Sequence, residues 1–214
     1  KDLPTLWTPG HERFDITDYE MVLRRVSEIQ PSVIINCAAW TDVDGCEKNP
    51  EKAYAVNGEG AGNLASAAKA VGAWMIQISS DYCYRPINEP LLGDYANSKH
   101  DGEWRVDNTI PDRHTILRVS WVLSTHPNGW LAHVVRNAMA GKTVRVSCQV
   151  GYPTTVESAA ATIIATAKSP KCGTFGVGGY PIASRHAVAS QACDAAGIYR
   201  NPADPQVVET DPTD

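Results

Sequence analysis

Tyr95 and Lys99 stand four residues apart in Tyr95-Ala96-Asn97-Ser98-Lys99. On a helix that spacing sets a phenol and an ammonium side by side on one face. Such a pair suits carbonyl reduction, where the oxygen must receive a proton as it gains negative charge. A free phenol titrates near about 10, too high for efficient proton exchange at neutrality, and a nearby ammonium favours the phenolate. The spacing alone arises often by chance. Its weight comes from Ser79-Ser80-Asp81-Tyr82 upstream, at the end of an apolar run. A hydroxyl there can donate to a substrate carbonyl. Alone, that segment reads more simply as a polar strand end.

Three further segments have the composition of a cleft. Asn36-Cys37-Ala38-Ala39-Trp40-Thr41 follows an apolar run, and its small side chains would let a flat cofactor approach the backbone. Alone it reads as a strand-to-loop turn. Arg118-Val119-Ser120-Trp121-Val122 places an indole that can line a pocket or fill core. Gln149-Val150-Gly151-Tyr152-Pro153-Thr154 is a loop by its Gly and Pro content. Gly58-Glu59-Gly60-Ala61-Gly62-Asn63 looks glycine-rich but does not fit G-x-G-x-x-G, and it falls inside a helical pattern. It reads as small residues that let helices pack closely.

The elements that must position these residues alternate helix with short apolar strand. Thr17 and Glu20 have capping-box spacing, and Val22, Val26 and Ile29 then mark one helix face up to Pro31. Residues 33–38 read as a strand buried on both faces. Asn49-Pro50 begins a helix whose apolar stripe is Val56, Leu64, Ala68 and Val71, with Gly72 as its stop. Strands are expected over 73–78, 115–123 and 143–147, and helices over 95–106, 130–140, 156–168 and 184–196. GTFGVGG reads as extended, and the tail from Asn201 as a frayed end or surface loop. Such alternation implies βαβ units and a parallel sheet, with ligands outside the carboxyl ends of the strands.

Composition narrows the function classes. The 214 residues suit one large domain, or one domain with a small lobe. A hydrophobic content of 43% supports a packed core, and a formal charge of −5 with no basic patch argues against nucleic acid as a partner. No apolar run of about eighteen residues predicts a membrane span, and the opening KDLPTLWTPG does not read as a secretory signal. Six cysteines without a C-x-x-C pair read as reduced thiols in the cytoplasm, and the scattered histidines suggest no metal.

Together these residues resemble the dTDP-4-dehydrorhamnose reductase family of extended short-chain dehydrogenases, from about Phe14 to about Gly179. FDITD is similar to the family's segment after its second strand, and VIINCAAWTDVDGCE to its N-A-A-A-x-T-x-V-D-x-A-E stretch. AYAVNGEGAGNLASAAKAVGA resembles the helix that follows. ISSDY is similar to S-T-D-Y, with Ser80 in place of the family's Thr, and GDYANSKHDGE to its Y-x-x-S-K-x-x-G-E helix. RVSWV and QVGYPT resemble R-T-S-W-V and Q-x-G-x-P-T, the segments that separate this family from related epimerases and dehydratases.

The resemblance implies a Rossmann-type α/β fold, a doubly wound parallel sheet with a small C-terminal substrate lobe. The sequence reading puts the dinucleotide-binding core in residues 1–125, and the remaining core elements plus part of the sugar-nucleotide lobe in 126–214. It implies hydride transfer from NADH or NADPH, a choice left open, to C4 of a dTDP-4-keto-6-deoxy sugar, giving dTDP-L-rhamnose. Tyr95 would protonate the C4 oxygen, Lys99 would lower the Tyr95 pKa and hold the nicotinamide ribose, and Ser80 would bond the carbonyl oxygen. Ala38, Ala39 and Thr41 would border the cofactor, with Asp15 and Ile16 near its adenine. Val43, Asp81, Tyr82 and Trp121 would face the sugar. A homodimer is compatible with the reading.

The sequence also departs from the family. No first strand and glycine-rich pyrophosphate turn precede FDITD; the expectation is that residues precede Lys1 in the molecule, the alternative being a fragment or degenerate relative, and the chain as it stands is expected to bind dinucleotide poorly. The stretch from Tyr82 to Tyr95 is shorter than in the family, and the chain stops before the family's C-terminal Arg-Pro segment. Cys148 stands where the family carries an acid. Two alternatives stay open: a non-catalytic binding subunit, like the regulatory subunit of methionine adenosyltransferase, and a 4,6-dehydratase or 4-epimerase, since Asp81 follows Ser80.

Overall fold

The computed structural model describes residues 6–84, 91, 93–127, 129–198 and 207–210. The chain forms two compact units, residues 1–118 with 163–175, and residues 119–162 with 176–214. The sequence reading cuts the chain once, between 125 and 126. The observed units interleave, because the chain comes back to the first unit for 163–175.

In the first unit Asp15 opens a turn, accepting from the Thr17 amide at 2.9 Å and the Thr17 hydroxyl at 2.8 Å. The Thr17 hydroxyl donates to Asp15, and the cap of α1 (Tyr19–Ile29) is Asp18, which accepts from the Met21 amide. The helix therefore starts one residue later than the capping-box spacing suggests. Gln30 ends it in the left-handed region at φ 50°, ahead of Pro31.

β1 (Val33–Asn36) stops two residues short of the expected strand. The cause is Asn36, whose Oδ1 accepts from the Ala38 amide at 3.0 Å and turns the chain. β1 is the outer strand of the described sheet, and Ile35 is 37% exposed, so the expectation of burial on both faces does not hold.

α2 (Val43–Lys48) and α3 (Pro50–Ala53) follow, capped by Asp42 and Asn49. A π-helical turn over Tyr54–Glu59 leads into α4 (Gly60–Val71), which Gly72 ends at φ 71°. β2 (Trp74–Ser80) pairs in parallel with β1, Asn36 opposite Gln77. α5 (Gly93–Thr109) and β3 (His114–Val119) come next. The core joins Val22 and Val26 of α1, Leu64 and Ala68 of α4, Met75 of β2 and Val106 of α5. The small residues act as expected. A Cβ on Gly58 would strike the Asp101 carboxylate, and one on Gly102 would strike the Asn57 carbonyl.

In the second unit the expected strand over 115–123 breaks at Ser120 and Trp121. The Ser120 amide donates to the Val177 carbonyl, and the Trp121 carbonyl accepts from the Thr154 amide. The chain then forms β4 (Val122–Leu123), followed by α6 (Trp130–Met139), β5 (Val144–Ser147), β6 (Val150–Gly151) and β7 (Thr154–Thr155). β4 pairs in parallel with β7. α7 (Val156–Lys168) and β8 (Gly173–Val177) carry the chain through the first unit and out again.

The four-stranded sheet has the order β1-β2-β3-β8. β9 (Ala183–Ser184) pairs antiparallel with β6 and leads into α8 (Arg185–Ala195). β10 (Val207–Thr210) pairs in parallel with β5, so this part of the tail is ordered strand. Val134, Val146, Ala189, Cys193 and Val207 form this unit's core. Among the described residues no helix is long and apolar enough to cross a membrane.

Candidate functional site

β2 and α5 bring three of the expected groups together in the first unit. Ser80 ends β2, 6% exposed. Its hydroxyl accepts from the Tyr82 amide at 3.2 Å and donates toward Asp81 Oδ1 at 3.2 Å, close enough to the Tyr95 phenol to act on its pKa. Tyr95 is 9% exposed and packs on Cys46 and Ala53, with the Tyr82 ring set edge-on at 5.5 Å. Lys99 is 3% exposed, and its Nζ donates at 2.8 Å to the Ile78 carbonyl, two residues before Ser80.

Residues outside the expected set hold this geometry. Glu47 on α2 accepts from the Asp94 amide at 2.7 Å and the Tyr95 amide at 3.3 Å, and so caps α5 from another element. Asn57 binds the Trp40 amide at 2.8 Å, the Trp40 carbonyl at 3.1 Å and the Ser98 hydroxyl at 3.1 Å. It thereby ties the loop after β1 to α5. Asn36 Nδ2 donates to Gln77 Oε1 at 2.8 Å, which joins β1 to β2 below the site. Sequence reasoning passed over these three. For Asn36 and Asn57 the signal was a polar residue in an apolar or small-residue stretch, where burial requires a partner; Glu47 is exposed in a polar stretch and gave none.

The electrostatics differ from the expectation in one respect. Burial pushes the Tyr95 phenol up to about 12, and the Ser80 hydroxyl opposes that rise. The Lys99 ammonium donates to the Ile78 carbonyl, not to the phenol. Burial pushes the Lys99 amine down, while Cys83, Glu103 and Cys37 act in the other direction. Burial also lifts the Cys83 thiol to about 11 and raises the Cys37 thiol.

The other expected residues fall into three groups. Ala38 and Thr41 are exposed beyond β1, and Ala39 is half-buried. Val43, Asp81 and Tyr82 are half-buried, with Val43 and Tyr82 against the cluster that holds Tyr95. Asp15 is held in its turn, where the Thr17 amide keeps its carboxyl below the usual range. Ile16 is a core residue, and only its carbonyl is engaged outside the core, by Asn63 Nδ2 at 3.0 Å. Trp121 belongs to the second unit. It is 9% exposed, the Arg185 guanidinium lies 4.9 Å from its ring centre, and its Nε1 is buried without a hydrogen-bond partner among the described residues.

A Rossmann-type α/β unit that sets a hydroxyl, a phenol and an amine at the carboxyl end of a strand has the architecture of a dinucleotide-dependent carbonyl-chemistry enzyme. The chain belongs to the RmlD substrate binding domain family, which matches residues 4–214. It is 36% identical over 181 residues to a dTDP-4-dehydrorhamnose reductase of Streptomyces griseus, covering 80% of this chain and 60% of that one. It is 35% identical over 213 residues to the Mycobacterium tuberculosis protein of the same name, covering 92% of this chain and 67% of that one. The chain thus spans about three fifths to two thirds of the length of these relatives. Among solved structures, the dTDP-4-dehydrorhamnose reductase of Bacillus anthracis, in complex with NADP, superimposes with a TM-score of 0.88 at 28% identity, over 97% of this chain and 75% of that one.

Proposed function

We propose that the protein reduces a dTDP-4-keto-6-deoxy sugar to dTDP-L-rhamnose with NADPH or NADH. The observation that carries this reading is the convergence of Ser80, Tyr95 and the Lys99 segment at the end of β2. The relatives named above support the substrate class. The nicotinamide supplies a hydride to the carbonyl carbon when bound.

The chain's own residues do the rest. The Ser80 hydroxyl, which donates to Asp81 in this structure, turns to donate to the carbonyl oxygen as negative charge grows there. The Tyr95 phenol delivers the proton that completes the alcohol. Burial keeps the phenol protonated, with its pKa pushed up to about 12, and proton transfer then requires a neighbouring positive charge to bring that value down. Lys99 uses one of its three donors on Ile78 and has donors left for a ribose hydroxyl. Exposed Cys37 and Ala38 beyond β1 offer small side chains over which a planar ring can lie. These features fit a nicotinamide and its ribose. Val43, Asp81, Tyr82 and Trp121 are the residues we assign to the sugar side.

The reading carries with it a cytoplasmic location, where six free thiols stay reduced, and a homodimer, which sedimentation of the full-length protein tests. For the activity, the full-length protein is mixed with NADPH and the dTDP-4-keto-6-deoxy sugar, and the product is separated. The expected outcome is one dTDP-L-rhamnose per NADPH consumed. An unreduced keto sugar with a rearranged ring, or no consumption at all, would reject the reading.

A further inference from the structure

The proton-transfer scheme leaves a buried ion pair beside the site without a role. Tyr95, Lys99 and Glu103 lie at i, i+4 and i+8 on α5 and share one face. Glu103 is 5% exposed. Arg118, near the end of β3, grips both of its oxygens, with Nε 2.9 Å from Oε1 and Nη2 2.6 Å from Oε2. The Arg118 guanidinium also stacks over the Tyr84 ring at 4.7 Å.

Lys and Glu four apart on a helix ordinarily attract each other, and burial strengthens that attraction. Here Lys99 bonds the Ile78 carbonyl instead, and Glu103 bonds Arg118. The groups acting on Lys99 are Cys83 from the turn after β2, Cys37 from beyond β1, and Glu103 from its own helix. Both thiols are pushed up by burial and stay neutral near pH 7. Glu103 is therefore the anion able to draw the ammonium away. Asp81, Tyr82 and Cys83 face Tyr95, and Asp81 takes the Ser80 hydroxyl.

We propose that Arg118 is a positioning residue. By occupying both oxygens of Glu103, it stops that carboxylate from capturing Lys99 and keeps the amine on the Ile78 carbonyl, near the end of β2. The effect on turnover rests on the reductase reading; the effect on Lys99 does not. A bidentate fork suits this task, since a single-point contact would leave one carboxylate oxygen free for Lys99.

The test uses the full-length protein and two readouts. One is the rate of NADPH oxidation with the keto sugar. The other is acetylation of Lys99 by acetic anhydride across pH, read by mass spectrometry without substrate or cofactor. Arg118→Met is expected to lower kcat by about tenfold or more, and to move the Lys99 labelling curve to higher pH by about one unit, as an opposite charge nearby requires. Adding Glu103→Gln to Arg118→Met is expected to restore most of kcat and return the labelling curve. Glu103→Gln alone is expected to move the labelling curve to lower pH, the opposite direction from Arg118→Met, because the carboxylate that raises the amine is gone.

A purely structural ion pair gives the opposite pattern: Glu103→Gln alone as harmful as Arg118→Met, no rescue in the double variant, and labelling unmoved. That pattern overturns the proposal. If Arg118→Met does not fold by circular dichroism, Arg118→Lys keeps the charge and loses the fork, and an unmoved labelling curve there overturns it equally. If the parent protein reduces no keto sugar, the labelling arm still decides the role of Arg118, while the reductase reading falls separately.

Discussion

The two units treat their buried polar groups differently. In the first, Ser80 bonds Asp81 and the Tyr82 amide, Lys99 bonds Ile78, and Glu103 bonds Arg118. In the second, Trp121 Nε1 and Arg185 Nε are buried without hydrogen bonds among the described residues, although the Arg185 guanidinium lies near the rings of Trp121 and Trp130 at 4.9 and 5.3 Å. An unpaired buried donor is costly, whereas a satisfied network is rigid. The comparison teaches that the proton-handling groups are set before any ligand arrives. Trp121 Nε1 and Arg185 Nε of the second unit have no acceptor among the described residues.

The first way to sharpen this contrast is alkaline unfolding. The folded state holds the Tyr95 proton more tightly than the unfolded chain does, with the phenol raised from about 10 to about 12. Stability is therefore intact below about pH 10 and lost as pH rises through 12, by roughly 3 kcal/mol in total. Cys83, raised to about 11, erodes stability from about pH 9 in the same direction. The quantity to read is thus the difference between parent and Tyr95→Phe in denaturant midpoints from pH 9 to 12. A difference that stays constant over that range would deny the burial of the phenol.

A smaller effect is expected at the cap of α5. Glu47→Ala removes the acceptor from the Asp94 and Tyr95 amides. Losing such a cap costs about 1 kcal/mol. Because the freed turn carries Tyr95, kcat is expected to fall several-fold as well. A melting shift with kcat unchanged would show that the cap supports the helix but not the phenol.

The smallest effect is expected in the second unit. Arg185→Gln removes the cation beside Trp121 and Trp130. If those groups serve recognition alone, the KM for the sugar nucleotide rises by about fivefold, close to 1 kcal/mol, with kcat held. Steady-state kinetics separates the two constants. A fall in kcat with KM unchanged would erase the division between preset chemistry and open recognition.

Much of the first unit was legible in the sequence because local signals agree with packing there. Asn49-Pro50 and Gly72 bound the helical run as expected, and Val22 and Val26 are fully or nearly buried. The Tyr95–Lys99 spacing places both on one face of α5, and α7 occupies the expected 156–168. What escaped depends on partners far along the chain. The early end of β1 comes from the Asn36 side chain, and the break after β3 from bonds to residues 154 and 177. The cap of α5 comes from Glu47, 47 residues before Asp94. The Lys99 amine was expected to serve Tyr95, yet a backbone carbonyl takes it. No local pattern marks a carbonyl as a competitor.

The central claim is that the Tyr95 phenol is the proton donor of a carbonyl reduction. The most direct measurement is single-turnover oxidation of NADPH by the full-length protein with the dTDP-4-keto-6-deoxy sugar, parent against Tyr95→Phe. The expected result is a loss of about a thousandfold in rate, roughly 4 kcal/mol, with the circular dichroism spectrum unchanged. Equal rates in the two proteins would contradict the account.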